Sequence, residues 1–275
     1  MDPNFSLEHH PYLSRRLPVF APHGVVAASE PLAAQAGLDV LRRGGNAVDA
    51  ALATAIALTV VEPTCNGIGG DVSALIWDGQ VLHGMNGSGR APRAHTRELF
   101  VKRGLKAVPK HGWLAVTVPG APRAWHDVHR RFGRLPFEAL FEPAIDYAAN
   151  GYPVSPCTAL RWQLAAKVYG SSGIPVEDAS VRPWREAFTR DGRPPRAGEM
   201  WTVPDLAPTL RELASTHCES FYRGNLAGRI VDFAERTGGL LSRQDLEEHQ
   251  GSWVQPIHTS YRGHELWEMP PSSQL

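Results

Sequence analysis

Two neighbouring segments contain residue types that could contact a ligand. They are the glycine-rich run Gly67-Ile68-Gly69-Gly70 and residues 86–92, which carry Arg90. Three glycines in four residues permit positive φ and allow a ligand or another backbone to come very near, although such runs also serve as simple tight turns. No Gly-Lys-Ser/Thr follows and the next element is a predicted strand, so we expect no nucleotide to bind here.

Two predicted helices precede the glycine-rich run. Ser29 is a good N-cap, and apolar residues at helical spacing continue to Arg43, where Gly44 can take the left-handed conformation that ends helices. Asn46 can cap a second helix of mainly small apolar residues, which ends at Glu62-Pro63 because the residue before proline avoids the helical region. The second helix is apolar on nearly every side, so we expect it to be buried.

The strands and the remaining helices follow from hydrophobic patterns and turn signals. Residues 72–77 and 80–85 flank Asp78-Gly79, which predicts a β-hairpin with a tight primed turn. A second hairpin is predicted around Arg262-Gly263, and the other predicted strands are residues 25–28 and 113–118. Further helices are predicted at about 121–132, 137–140, 143–149, 157–168, 205–216, 225–237 and 242–249. Strands clustered between helix-rich stretches fit an α+β layered fold.

The chain also contains a series of short, ordered motifs. They include Gly44-Gly45-Asn46-Ala47, Val60-Val61-Glu62-Pro63, Gly67-Ile68-Gly69-Gly70, Val118-Pro119-Gly120-Ala121, Gly238-Gly239-Leu240-Leu241 and Met269-Pro270-Pro271-Ser272-Ser273. Over roughly residues 24–275 they resemble the large-subunit, N-terminal part of the γ-glutamyltranspeptidase family. The resemblance implies the αββα layered sandwich of N-terminal-nucleophile hydrolases, here incomplete and helix-rich. It divides the chain into an N-terminal arm, residues 1–22, and a large-subunit domain, residues 23–275, truncated at its C-terminus.

The resemblance points to a substrate-binding loop, but the sequence departs from the family pattern there. Members of the family have an Arg-Glu-x-Ala-Pro loop whose arginine holds the α-carboxylate of the γ-glutamyl group. Counting back from Ala91-Pro92, that arginine falls on Ser88 and the glutamate on Gly89. Arg90 lies two positions on and would point to the same side of an extended loop, so it is the candidate replacement. Alternatively, Ser88 lines a roomier pocket for acyl groups without an α-carboxylate, as in acylase-like members.

The resemblance also implies a reaction whose nucleophile lies beyond this chain. In this family the precursor cleaves itself, and the new N-terminal threonine of the small subunit is the nucleophile, with its own α-amino group as the base. We therefore assign no catalytic residue here, and Ser272 and Ser273 are not the substrate-pocket serines, which belong to a later motif.

The expected function is that of a γ-glutamyltransferase-like acyltransferase or amidohydrolase. Its expected partners are a small subunit, or missing C-terminal half, and a small-molecule γ-glutamyl or related amide. We expect that half to cover an apolar sheet surface left by the C-terminal hairpin. The alternatives are a non-catalytic remnant or binding subunit of the same fold, and an acylase-like amidohydrolase without γ-glutamyl specificity.

Composition narrows the remaining partners and compartments. The 28 basic and 28 acidic residues give a net charge of zero, so there is no electrostatic case for nucleic acid or an anionic membrane. Cys65, Cys157 and Cys218 make neither a disulfide framework nor a zinc site, and His126 with His129 lacks a third ligand. We predict no metal and no cofactor. No stretch has the apolar core of a signal peptide, so a reducing cytoplasm is the expected compartment.

Overall fold

The computed structural model describes residues 18–171 and 181–271, which form a mixture of helices and short strands. The helices are α1 (Pro31–Arg42), α2 (Ala47–Val61), α3 (Arg97–Lys102), α4 (Ala121–Phe132), α5 (Glu142–Asn150), α6 (Pro156–Ser171), α7 (Arg182–Phe188), α8 (Leu206–Ser215), α9 (Glu219–Tyr222), α10 (Asn225–Arg236) and α11 (Arg243–Glu247). The strands are β1 (Ser73–Trp77), β2 (Leu82–Asn86), β3 (Tyr152–Pro153), β4 (Met200–Trp201), β5 (Ser252–Val254), β6 (Ile257–Tyr261) and β7 (His264–Glu268). Most of the predicted N-terminal arm, residues 1–17, and the pair Ser272-Ser273 lie outside the described residues.

Helices α1 and α2 pack closely at the centre of the main hydrophobic core. Gly37 of α1 permits this approach, because a Cβ there would lie 2.3 Å from Thr54 Oγ1 and 2.9 Å from Ala50 O. Both helices contribute residues that are at most 1% exposed, namely Ala33, Ala36, Val40, Ala53, Ile56 and Val60. The prediction that α2 is a buried helix is confirmed, and α4, α5 and α8 pack around the same core.

The N-terminus of α2 is fixed by a capping box. Asn46 Oδ1 accepts a hydrogen bond from Asp49 N at 2.9 Å, and Asp49 Oδ2 accepts one from Asn46 N at 3.0 Å. The carboxylate of Asp49 also accepts from the backbone N–H groups of Arg134 and Leu135, at 3.0 and 3.2 Å. The predicted cap of α2 is confirmed, and its acid also ties α2 to the segment that follows α4.

The prediction for α1 is correct at its C-terminal end and wrong at its N-terminal end. Gly44 follows the helix with a φ of 90°, as predicted. The N-cap prediction was wrong, because Glu30 occupies that position and Ser29 Oγ donates to Glu62 Oε2 at 2.6 Å. The Ser29 hydroxyl is therefore bound to the Glu62 carboxylate, at the end of α2, and does not cap α1.

The described strands form three small antiparallel sheets, β1-β2-β5, β3-β4 and β6-β7. The first predicted hairpin is confirmed: Trp77 pairs with Leu82, and within the four residues between them Asp78 N donates to Val81 O at 3.3 Å while Gly79 has a φ of 100°. Asp78 Oδ1 stabilises this loop by accepting from the N–H groups of Gln80 and Val81, both at 2.8 Å. The second hairpin turns at Arg262-Gly263, as predicted.

Two single-strand predictions were wrong. Residues 25–28 pair with no strand in the described chain, and Val25 is 66% exposed. Residues 113–115 form a 3₁₀ turn, because Trp113 is held from elsewhere in the chain. Its Nε1 donates to Thr237 Oγ1 at 2.8 Å, and a Cβ on Gly239 would lie 2.5 Å from its ring. Long-range packing of the indole therefore overrides the local strand pattern.

The predicted helices from α4 onward are confirmed, with small changes in their bounds. Helix α11 begins with a second capping box, in which Asp245 Oδ2 accepts from Ser242 N at 2.9 Å. The other oxygen of Asp245 accepts from Arg93 N, also at 2.9 Å. This contact ties α11 to the residue that follows the loop at 86–92.

An apolar surface lies on the sheet side of the chain, as expected. We call it the sheet face, and it consists of Leu75, Trp77, Ile257 and Leu266, which are 41 to 63% exposed. A groove of about 700 Å³ separates β1 from the β6-β7 hairpin. Large apolar side chains at such exposures along a groove are typical of a surface that packs against another segment.

Candidate functional site

The Arg90 loop, residues 86–92, is held by polar contacts on both sides. Gly89 N donates to the carboxylate of Asp71 at 3.3 Å, which joins the loop to the start of β1. Arg90 O accepts from Val118 N at 2.9 Å, which joins it to the segment leading into α4. The backbone at Arg90 is therefore fixed relative to both the sheet and the helices.

Glycines in this region let three backbone segments touch. Gly87 N donates to Val72 O at 2.7 Å. A Cβ on Gly89 would lie 1.5 Å from Val118 O, and a Cβ on Gly120 would lie 1.8 Å from Gly87 O. Both positions exclude any side chain, so Gly89 is required by packing and is also a departure from the family pattern.

Ser88 turns back into its own loop. Its hydroxyl donates to Asn86 Oδ1 at 2.6 Å, and its backbone N–H donates to the same oxygen at 2.9 Å. The residue is half-buried. A role for Ser88 in lining an acyl pocket stays a prediction.

Arg90 is exposed, and its guanidinium forms no hydrogen bond or ion pair with residues 18–171 or 181–271. A cation that has no partner among the described residues, on a backbone held at Asp71 and Val118, can pair with a carboxylate from outside the chain. Its predicted role in substrate binding, and its position on the same side as Ser88, stay predictions.

A buried histidine lies beneath the Arg90 loop. His249 is 6% exposed and stacks on the ring of Tyr222, with centroids 5.4 Å apart. Its Nε2 faces Gly120, 3.3 Å from where a Cβ would stand, and has no hydrogen-bond partner in the described chain. Burial, together with the positive charges of Arg123 and Arg90, lowers the pKa of His249 to about 4. The ring is therefore neutral at pH 7.

The glycine-rich run caps helix α4. Gly70 O accepts from Gly120 N and Ala121 N, at 3.0 and 2.9 Å, and Tyr222 OH accepts from Arg123 N at 3.1 Å. Protein groups thus occupy the N–H groups that could otherwise bind an anion at this helix end. The close approach of another backbone, which the glycines allow, is observed here, and none of the three glycines of the run has a positive φ.

Sequence reasoning missed Asp71, Arg123 and His249 around this loop. Asp71 directly follows the glycine-rich run, so its position was a usable signal. Arg123 lies in the first turn of a predicted helix, where nothing distinguishes it from a solvated charge. His249 carries no local signal, since its ring contacts residues that are far earlier in the chain.

His126 and His129 are packed rather than open to a ligand. His129 Nε2 lies 2.8 Å from Leu135 O, and His126 packs edge-on against Phe137 with centroids 6.0 Å apart. Within the described ranges, no group of three His, Cys, Asp or Glu side chains could hold a metal ion. None of the helices in those ranges combines the length and the apolar character needed to cross a bilayer.

Comparison with known proteins identifies the family. The family model for gamma-glutamyltranspeptidase matches residues 33–275. The chain belongs to the γ-glutamyltranspeptidase family. It is 35% identical over 253 residues to the glutathione hydrolase-like YwrD proenzyme of Bacillus subtilis, which covers 91% of this chain and 46% of that protein. It is 31% identical over 268 residues to the glutathione hydrolase proenzyme of Escherichia coli, covering 93% and 43%.

Solved γ-glutamyltranspeptidase-family structures have the same fold. The crystal structure of cephalosporin acylase from Bacillus halodurans is 48% identical, with a TM-score of 0.90, and covers 97% of this chain and 49% of that one. The γ-glutamyltranspeptidase of Helicobacter pylori is 30% identical, with a TM-score of 0.84, and covers 93% and 72%. The mixed helix and sheet fold is therefore that of the family. The chain spans about half the length of the curated relatives that it matches.

Proposed function

We propose that the protein is a γ-glutamyltransferase-like acyltransferase or amidohydrolase and that this chain supplies its large-subunit part. The proposal rests mainly on Arg90. Its guanidinium is exposed and has no partner in the described chain, while its backbone is fixed by contacts to Asp71 and Val118. A substrate carboxylate suits such a group best, because guanidinium and carboxylate form two parallel hydrogen bonds. Relatives named glutathione hydrolase and cephalosporin acylase support hydrolysis or acyl transfer.

The family resemblance supplies the proposed reaction. The hydroxyl oxygen of a threonine beyond this chain attacks the amide carbonyl carbon, while the α-amino group of that threonine takes the hydroxyl proton. The carbon–nitrogen bond breaks, the amine leaves with the proton, and an acyl ester remains on the threonine. Water or a second amine then attacks the ester and restores the hydroxyl. In this scheme Arg90 holds the far carboxylate of the acyl group and transfers no proton.

An acylase-like amidohydrolase without γ-glutamyl specificity is the second candidate. Ser88 and Gly89 stand where the family pattern has arginine and glutamate, so the loop lacks both charges of that pattern. The close packing of Gly89 against Val118 leaves no room for a glutamate side chain at that position. The 48% identity to the cephalosporin acylase of Bacillus halodurans favours this candidate.

We also propose that the remainder of the protein completes the αββα sandwich by packing on the sheet face. The exposed fractions of Trp77 and Leu266, 63 and 55%, support a covering segment. Burying each such side chain contributes roughly 1.5 to 3 kcal/mol, so several together favour association. The share of its relatives that this chain spans, about half, is consistent with a missing second half.

The first test is the coding sequence beyond Leu275, followed by expression of the chain with whatever that sequence encodes. We expect a threonine-led segment that joins this chain and generates amidase activity. Amide hydrolysis by the isolated chain would contradict the proposal. A partner segment without a nucleophilic threonine would favour the non-catalytic remnant or binding subunit.

A panel of four anilides separates the two candidate specificities. The acyl groups are γ-glutamyl, glutaryl, 4-aminobutyryl and butyryl, which carry both α substituents, the carboxylate alone, the ammonium alone, and neither. If Arg90 binds the carboxylate, γ-glutamyl and glutaryl anilides are preferred. Equal turnover of the butyryl anilide would remove Arg90 from recognition and favour the roomier pocket beside Ser88.

Arg90→Ala is the matched variant for this panel. We expect it to raise KM for the two carboxylate-bearing anilides about 10- to 150-fold, because the loss of a charge-assisted contact costs about 1.5 to 3 kcal/mol of binding free energy. The butyryl anilide should be unaffected. Lys106→Ala is the control, since Lys106 is another exposed loop cation. An unchanged KM in Arg90→Ala would exclude the arginine from the site.

A further inference from the structure

A second concave site lies between α9, α10 and the glycine-rich run. Its volume is about 720 Å³, within the range of about 300 to 1,000 Å³ that is common for small-molecule sites. The walls are mainly apolar and include Trp113, Phe221, Leu226, Ile230 and Phe233. The opposite side is formed by the main chain at Ile68-Gly69 and by Pro119.

The aromatic wall is held rigidly. The Trp113 indole Nε1 donates to Thr237 Oγ1 at 2.8 Å, and its ring lies 5.8 Å from that of Phe233. Gly239 supports the other side of the indole, because any Cβ there would clash with the ring at 2.5 Å. By contrast, a Cβ on Gly69 would meet no atom within 4 Å, so the space in front of the glycine-rich run is open.

The mouth of the cavity carries charges that the described chain leaves unpaired. Arg229, Asp232 and Arg236 lie on α10 and line the cavity. None of the three forms an ion pair or hydrogen bond with residues 18–171 or 181–271. The two arginines outnumber the acid, so the mouth has a net positive charge above an apolar interior.

We propose that this cavity binds small amphipathic carboxylates with an aromatic or branched aliphatic body. The body packs between Trp113 and Phe233, and the carboxylate pairs with Arg229 or Arg236. An apolar pocket with a few convergent charged groups is the common form of such a site. The proposal concerns binding alone and does not depend on the proposed reaction.

Calorimetric titration of the 275-residue chain with 4-phenylbutyrate and with 4-phenylbutanol tests the proposal. The two probes share their aromatic body and differ in the carboxylate. We expect the acid to bind about tenfold more tightly than the alcohol, because only the acid pairs with a guanidinium. Equal affinity, or no binding of either probe, would overturn the proposal.

Three variants locate the site. In Arg229→Gln/Arg236→Gln the affinity for the acid should fall to that of the alcohol, with the alcohol unchanged. In Gly69→Val both probes should lose affinity, because the new side chain enters the open space. Arg97→Gln/Arg103→Gln is the control, since it removes the same charge from α3 and its C-cap, outside the cavity. Circular dichroism verifies that each variant is folded. If the control lowers the affinity for the acid as much as the first variant does, binding depends on the overall charge of the chain and not on this cavity, and the proposal is wrong.

Discussion

The helical body around α1 and α2 and the sheet face differ in how completely they bury their own groups. In the helical body Ile56 is fully buried, and the carboxylate of Asp49, also fully buried, is surrounded by backbone donors. On the sheet face Trp77 and Leu266 remain 63 and 55% exposed. The helical body is thus complete within these residues, whereas the sheet face presents apolar area that another segment can bury.

The Arg90 loop lies at the boundary between the two regions. It follows β2 directly, and its contacts run to Asp71 at the start of β1 and to Val118 before α4. The loop is anchored by the helical body and opens beside the sheet.

The largest loss of stability is expected from a change at Asp49, in the helical body. Asp49→Ala removes the acceptor for the N–H groups of Arg134 and Leu135 and half of the α2 capping box. Each buried N–H left without a partner costs about 1 to 3 kcal/mol, so we expect a loss of at least about 3 kcal/mol in the free energy of unfolding. Urea unfolding of the chain measures it.

Asp39→Ala is the control for that change. Asp39 is exposed and pairs with Arg42 at 2.9 Å, so its removal should cost no more than about 0.5 kcal/mol. Similar losses for the two variants would mean that the helical body does not depend on its buried acid, and the contrast with the sheet face would lose its basis.

Gly89→Ala tests whether the Arg90 loop belongs to the rigid region. Its Cβ would overlap Val118 O, so the loop and the segment before α4 must separate, at a cost of about 1 to 3 kcal/mol. Gly69→Ala is the matched variant, because its Cβ would meet open space. Thermal unfolding of both variants should show a clear loss for the first and almost none for the second. Equal stability would indicate a loop free to move away.

Local signals predicted the ends of several helices. The helices predicted to begin at Asn46 and at residue 242 both do so, and in each an acid three residues after the cap completes a capping box. Predictions failed where a distant residue competes for the same group. The hydroxyl of Ser29 binds Glu62 instead of capping α1, and Trp113 packs on Gly239 instead of joining a strand.

The sequence supplied candidate residues for the site but not their surroundings. Arg90 and Ser88 are identified by counting along a motif, and the structure adds that one is exposed and the other bonds to Asn86. His249 could not be found in this way, since it meets Gly120 only through the fold. Proximity of segments that are distant in sequence is the information that single-sequence reasoning lacks.

A smaller effect is expected from the pH dependence of Glu30. Burial raises the pKa of this carboxyl, nearby Glu62 raises it further, and hydrogen bonds from Ser155 and Thr158 act in the opposite direction. The folded state therefore holds the proton more tightly than the unfolded state. Stability contributed by the protonated form is present below pH 4.5 and is lost as pH rises through the raised pKa.

Glu30→Gln should remove that loss, so the free energy of unfolding at pH 8 should be higher in the variant than in the wild type. Urea unfolding at pH 4.5 and pH 8 measures the change. Glu235→Gln, an exposed carboxylate of α10, is the control and should leave the pH profile unchanged. If the free energy of unfolding depends on pH in the same way in Glu30→Gln and in the wild type, burial in the helical body does not disfavour the ionised form of Glu30.

The smallest effect on stability is expected on the sheet face. Trp77→Ser/Leu266→Ser changes side chains that are more than half exposed, so the free energy of unfolding should change by no more than about 0.5 kcal/mol. Self-association of the chain, measured by sedimentation velocity, should decrease because the apolar area is smaller. A large loss of stability would mean that the two residues are already packed within this chain. The sheet face would then be part of the same complete core as Ile56, and the division between the two regions would disappear.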